Sequence, residues 1–221
     1  MSRIVNLGVL VSGSGSNLQS IIDRVETGSL PAAIRIVVSN NPAAFALERA
    51  RKHGIPATVI AHEGFANRED YDRRLVETLN AHGVELVVLA GFMRVLSPFF
   101  LRAFPMRVMN IHPALLPSFP GTHGQRKAFD YGVKFSGCTV HFADEGVDTG
   151  PVIIQAVVPV YDADTEETLS QRILREEHRI YPQAIRLYAE GKLRVEGRKV
   201  RVLDHPQPDG SPRHNPPVTD F

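Results

Sequence analysis

Along the first 90 residues, short runs of apolar and largely β-branched side chains alternate with segments in which apolar side chains recur every three to four positions. The runs lie at 4–11, 34–38, 58–60 and 85–90, and the helix-period segments at 17–26, 42–53 and 67–82. In the first segment Leu18, Ile21, Ile22 and Val25 share one face. The second has Pro42 in its first turn and Gly54 at its end, and the third is closed by Gly83. Strand-helix-strand order at this spacing leaves few solutions. Both kinds of element bury their apolar faces only when the strands line up in parallel, the helices lie over the sheet, and the crossovers are right-handed. The run 85–90 is almost continuously apolar, as expected of a strand covered on both faces.

After residue 90 the rhythm changes. A fifth strand is expected at 108–111, then a proline-rich loop at 113–121. Two longer strands follow at 135–142 and 152–158, joined by an acidic loop at 143–150 and expected to pair antiparallel. A long helix at 166–190 and a hairpin at 192–203 complete the pattern. The fold class read from this is α/β, a Rossmann-like, mostly parallel sheet with helices on both faces and antiparallel strands added in the C-terminal half. Residues 1–203 read as one domain. Residues 204–221, with Pro206, Pro208, Pro212, Pro216 and Pro217, read as a mobile tail.

Bulk properties exclude several classes. The 25 basic and 24 acidic residues of the 221 leave a net charge of +1, without the basic excess that a nucleic acid or an anionic membrane would select. No run approaches the roughly 18 apolar residues of a membrane span. The N-terminal apolar run passes straight into a glycine loop, so it reads as the first strand and not as a signal peptide. A cytoplasmic protein is expected. The single cysteine, Cys138, lies in a strand pattern and reads as a small buried hydrophobe rather than a nucleophile.

Two segments carry chemistry. Between the first strand and first helix stands Ser12-Gly13-Ser14-Gly15-Ser16-Asn17-Leu18. Glycines permit a tight turn, and the helix N-terminus that follows offers free N–H groups and a favourable dipole to an anion. The third glycine of a dinucleotide fingerprint is replaced by Leu18, and Ser39-Asn40-Asn41 stands where its acidic residue belongs. No Gly-Lys-Ser/Thr follows, so it is not a P-loop either. A single phosphate held by Gly15, Ser16 and Asn17 fits, beside the plainer reading of a βα turn.

The second segment is Asn110-Ile111-His112-Pro113 at the end of the fifth strand. Residues i and i+2 of a strand point the same way, so Asn110 and His112 can face one reacting centre, where open α/β sheets bind ligands. An amide NH2 and an imidazolium are both donors able to hold an oxyanion. Asp148, in the loop Asp144-Glu145-Gly146-Val147-Asp148-Thr149-Gly150, would raise the pKa of His112 if the fold brought them together. Spacing alone leaves open whether it does, a solvated acidic turn being the other reading. His112, His123 and His141 have no metal-ligand spacing, and no metal is expected.

Taken with 90–97 (Ala-Gly-Phe-Met-Arg-Val-Leu-Ser), 110–117 (Asn-Ile-His-Pro-Ala-Leu-Leu-Pro), 148–151 (Asp-Thr-Gly-Pro) and 177–182 (Glu-His-Arg-Ile-Tyr-Pro), these residues resemble the formyltransferase superfamily. Within it they resemble the 10-formyltetrahydrofolate-dependent phosphoribosylglycinamide formyltransferases, over about residues 4–193. The resemblance implies transfer of a formyl group from 10-formyltetrahydrofolate to the amine of 5-phosphoribosylglycinamide, in purine biosynthesis. It implies that Gly15, Ser16 and Asn17 hold the substrate phosphate and Glu177 the ribose. Arg68, Met93, Arg94, Val95, Leu96, Asn110 and Asp144 would line the folate pocket, and Asn110, His112 and Asp148 would form the catalytic set, with His112 kept protonated. Where many relatives carry a lysine, this chain has Leu174, with Arg172 and Arg175 nearby.

The implied partners are the two small-molecule substrates, and the protein a monomer or homodimer. Three alternatives stand beside this. A methionyl-tRNA formyltransferase should carry a substantial C-terminal RNA-binding domain, and a formyltetrahydrofolate hydrolase an N-terminal regulatory domain. A non-catalytic nucleotide-binding module would have no need of Asn110, His112 and Asp148.

Overall fold

The computed structural model describes residues 3–204 and Gly210; apart from Asp204 and Gly210, the expected tail lies outside the described residues. The apolar runs form β1 (Val5–Val11), β2 (Ala32–Ser39), β3 (Ala57–Val59), β4 (Leu86–Leu89) and β5 (Val108–His112). Between them run α1 (Ser16–Glu26), α2 (Phe45–Lys52), α3 (Arg68–Ala81) and α4 (Pro98–Ala103). Then follow α5 (Gly124–Tyr131), β6 (Phe135–Phe142), β7 (Val152–Pro159), α6 (Glu166–Ala189), β8 (Leu193–Glu196) and β9 (Lys199–Val202). The strands make one sheet in the order β3-β2-β1-β4-β5-β6-β7-β9-β8. The first five are parallel, β6 is antiparallel to both β5 and β7, and β8 and β9 form an antiparallel hairpin. This is the α/β architecture read from the sequence.

Three details differ from expectation. α2 begins at Phe45 and not at Pro42, because Asn41 folds the chain into a turn: its Oδ1 accepts the Ala43 amide (3.0 Å) and its carbonyl the Ala44 amide (3.2 Å). α4 and α5 were not anticipated. α4 has six residues, too few to display a helical period; only Ser97, whose hydroxyl accepts the Phe100 N–H (3.4 Å), and Pro98 at the first turn mark its start. α5 opens on Gly124 after His123 in a left-handed conformation (φ 61°), so it lacks the side-chain cap that signals a start.

The sheet has a core on each face. Alternation along β1, β4 and β5 sends Val9, Val11, Leu86, Val88, Met109 and Ile111 toward α1, α2 and α6. Leu10, Val87, Leu89 and Val108 point the other way, toward Tyr71 and Leu75 of α3 and Phe100 of α4. The second core uses Ile36 and Val38 of β2 as well but no residue of β6 or β7. α3 and α4 therefore cover one half of their face, and past Val108 that face turns polar. α6 is fastened to the centre by Tyr181, fully buried, whose hydroxyl lies 2.8 Å from the Met109 carbonyl and 3.1 Å from that of Leu89. Among the described residues no helix is long and apolar enough to cross a membrane.

Candidate active site

On the uncovered half of the face, β5 and β6 present four polar side chains as two cross-strand pairs: Asn110 opposite His141, and His112 opposite Thr139. Their neighbours in sequence, Ile111, Cys138, Val140 and Phe142, point into the opposite core, so period two puts all four on one side. The Thr139 hydroxyl donates to the Ala114 carbonyl (2.7 Å) and accepts the Leu116 N–H (3.1 Å), which seats the proline-rich loop over the strand ends.

The loop after β6 brings in the carboxylate. Gly150 is required there, since a Cβ would stand 1.8 Å from the Phe142 carbonyl oxygen. Asp148 itself is left-handed (φ 55°), and its carboxylate meets four groups. Oδ2 accepts the Gly121 N–H at 2.7 Å and lies 3.3 Å from His112 Nδ1. Oδ1 accepts from Asn110 Nδ2 at 3.3 Å and lies 3.6 Å from His141 Nε2. The fold thus brings Asn110, His112 and Asp148 together, as spacing alone could not establish. It adds His141, whose Nε2 is 3.2 Å from Asn110 Nδ2 and whose Nδ1 donates to the Phe142 carbonyl (2.9 Å). His141 and Thr139 were not recognised as site residues; the signal was two polar residues at i and i+2 near the end of a mostly apolar strand.

Protonation follows from the partners. A backbone carbonyl can only accept, so His112 Nε2, 2.8 Å from the Phe119 carbonyl, carries a proton, and Nδ1 is the position that titrates. Burial is the largest influence on His112 and lowers its pKa below the ordinary histidine value; Asp148 pulls upward but does not prevail. This corrects the expectation that Asp148 keeps His112 protonated: the unliganded imidazole is neutral at pH 7. For Asp148 burial pulls upward, but the adjacent His141, the hydrogen bond from the Gly121 amide and the nearby His112 hold its pKa below the usual carboxylate value.

These groups line a cavity of ≈ 480 Å³, within the range of small-molecule sites. Met93, Arg94, Val95, Leu96 and Asp144 line it. Met93, Val95 and Val147 expose apolar side chains around it, an arrangement suited to a flat aromatic ligand. Asp144 shapes its own loop, accepting the Gly146 N–H (3.2 Å) and the Thr149 hydroxyl (2.6 Å). Arg68 is exposed in the first turn of α3 and is not among the lining residues.

The glycine loop forms the second locus. Gly15 takes φ 72° ahead of α1, and a Cβ there would lie 2.6 Å from that of Ala46, so the first turn of α1 is left open with no side-chain cap. Asn17 is 9% exposed; its Nδ2 donates to Glu177 Oε2 (2.8 Å) while its Oδ1 has no partner. Burial pushes the Glu177 carboxyl up, against the Asn17 hydrogen bond. Arg172 is engaged elsewhere, by paired 2.7 Å bonds to Asp164. The guanidinium against the loop is that of Arg49, whose Nε donates to the Ser14 carbonyl (2.9 Å) and Nη1 to Gln19 Oε1 (3.1 Å).

A mostly parallel sheet with an open glycine turn after β1, and an Asn-His-Asp cluster lining a cavity beyond β5, defines a group-transfer enzyme built on a Rossmann-like frame. The chain belongs to the formyl transferase family, whose pattern it matches over residues 5–185. It is 45% identical over 191 residues to the phosphoribosylglycinamide formyltransferase of Escherichia coli K12, covering 86% of this chain and 90% of that one. It is 50% identical over 191 residues to the trifunctional purine biosynthetic protein adenosine-3 of Drosophila melanogaster, matching 86% of this chain but spanning only 14% of that protein. The crystal structure of glycinamide ribonucleotide transformylase 1 from Symbiobacterium toebii superposes with a TM-score of 0.91 at 52% identity, over 92% of this chain and 96% of that one.

Proposed function

We propose that this enzyme transfers the formyl group of 10-formyltetrahydrofolate to the primary amine of 5-phosphoribosylglycinamide. The observation that carries the reading is the Asn110-His112-Asp148 cluster lining a cavity with exposed apolar walls, with an uncapped glycine turn at the end of a nearby strand. The ribonucleotide phosphate sits at the N-terminus of α1 on Gly15, Ser16 and Asn17, with Arg49 behind the loop, and the ribose meets Glu177 and the free Asn17 Oδ1. The pterin ring lies against the segment from Met93 to Leu96 and the loop holding Asp144. Arg68, outside the lining, meets the anionic tail of the folate in solvent.

The neutral amine attacks the formyl carbon and negative charge collects on the formyl oxygen. Asn110 turns one of its two long N–H contacts onto that oxygen, a donor of the kind worth a few kcal/mol. The proton shed by the amine is taken up at His112 Nδ1, where the Asp148 carboxylate already waits 3.3 Å away. The resulting imidazolium, its Nε2–H remaining on the Phe119 carbonyl, returns the Nδ1 proton to the departing folate nitrogen. Burial favours a base that starts neutral at His112, and the polar neighbours of Asp148, against its burial, favour a carboxylate that stays ionised.

The test offers both substrates and follows deformylated folate, with an acceptor-free control. Acceptor-dependent turnover is expected, and His112→Ala should lower kcat about 10²- to 10⁴-fold while the chain still unfolds cooperatively. Folate turnover at equal rate without the acceptor would instead identify a hydrolase.

A further inference from the structure

Strands β1 and β4 adjoin where the strand order reverses, so the chain leaving β1 into the glycine loop and the chain leaving β4 into the cavity wall start side by side. Ser12, the first residue past β1, has all its polar groups engaged there. Its N–H donates to the Gly91 carbonyl (3.1 Å), and its hydroxyl oxygen accepts the Met93 N–H (2.8 Å). Its hydroxyl proton goes to Asn40 Oδ1 (2.6 Å), and its carbonyl accepts from Asn41 Nδ2 (3.3 Å). Two of these bonds hold the cavity wall, and two hold Ser12 to the loop after β2.

The wall needs such a fastening. Met93 is 72% exposed, so its own burial does little to fix the backbone that carries it. At the far end of the wall, Asp72 of α3, 1% exposed, accepts the Ser97 N–H (2.5 Å). The segment is therefore pinned at Ser12 and Asp72 and spans the cavity between them. This also explains Ser39-Asn40-Asn41, the residues that exclude a dinucleotide site. An amide oxygen at position 40 accepts the Ser12 proton without setting a negative charge behind a loop that must hold an anion.

We propose that Ser12, with Asn40 as its buttress, is a positioning residue that fixes the Gly91–Val95 wall relative to the phosphate loop. The two substrates are thereby delivered to Asn110 and His112 in register. The identity of the substrates rests on the function proposed above; the mechanical claim rests on the hydrogen bonds of Ser12 alone.

Two readouts test it. In the full chain, Ser12→Ala removes the hydroxyl's bonds to the Met93 amide and to Asn40 and should raise the KM for 10-formyltetrahydrofolate about tenfold, with kcat within about threefold. Asn40→Ala should follow it in part, and Asn40→Asp, which keeps the acceptor, should restore the folate KM. Independently of any substrate, hydrogen exchange at the Met93 amide should speed up in Ser12→Ala while exchange at the Leu89 amide stays unchanged. An unchanged Met93 rate overturns the proposal. So does a folate KM that stays at the wild-type value, or a fall in kcat and thermal stability together with both KM values constant. If the wild-type chain transfers no formyl group, the functional reading fails and the exchange arm alone decides whether Ser12 holds the wall.

Discussion

His112 lies between opposed influences, the desolvation that favours its neutral form and the carboxylate that favours its cation, and the structure gives the first the larger share. The acid limb of kcat/KM should therefore fall below the ordinary histidine pKa of about 6.5. Removing the carboxylate takes away an upward pull, so Asp148→Asn should move that limb to still lower pH while greatly slowing turnover. An NMR titration that finds His112 unchanged in Asp148→Asn would separate the two residues. At this scale the sequence was informative about identity and silent about placement. Asn110 and His112 were legible because two residues apart on a strand means one face. Asp148 was not, because the 38-residue separation from Asn110 is closed by a strand pairing and a loop that only the fold specifies. The charge state of His112 was misjudged for a physical reason, since a pair partner can be read from a motif but desolvation cannot.

At the level of elements, the apolar periods gave the parallel strands and the long helices, with their ends shifted by a few residues. What they could not give were helices too short to have a period. α4 and α5 matter nonetheless, since α4 closes the second core with Phe100 and α5 follows the proline-rich loop whose Gly121 amide holds Asp148. The loop between β6 and β7 is the element on which the site most depends, and its shape is set by backbone contact rather than by side-chain packing. Gly150→Ala would force a Cβ into the Phe142 carbonyl, a backbone atom that cannot swing aside. We expect a loss of about 3 kcal/mol in urea unfolding together with a large drop in kcat, because Asp148 moves with the loop. A silent Gly150→Ala would mean that the loop adapts at no cost to the carboxylate.

For the molecule as a whole, the burial of the Glu177 carboxyl costs stability. Its pKa is raised in the folded state by burial, so between the unfolded value near 4.5 and the folded value the native state holds the extra proton. Stability then declines as pH rises through that window, and the loss is complete above it. Glu177→Gln removes the penalty and should stabilise the unliganded enzyme by about 1 kcal/mol at neutral pH, while raising the ribonucleotide KM. Thermal melts of the two proteins at pH 5 and pH 8 would reveal it as a difference that widens with pH.

The strand order has one more consequence. A sheet this wide is bordered by β3, three residues long, and by β8, whose Arg194 and Glu196 stand two apart on the same side of the strand. A foreign strand seeking to extend the sheet finds at one border too few free amides to hold it, and at the other a row of charge that it would have to strip of water. The native protein should therefore stay dispersed in concentrated solution, and clumping should wait on unfolding.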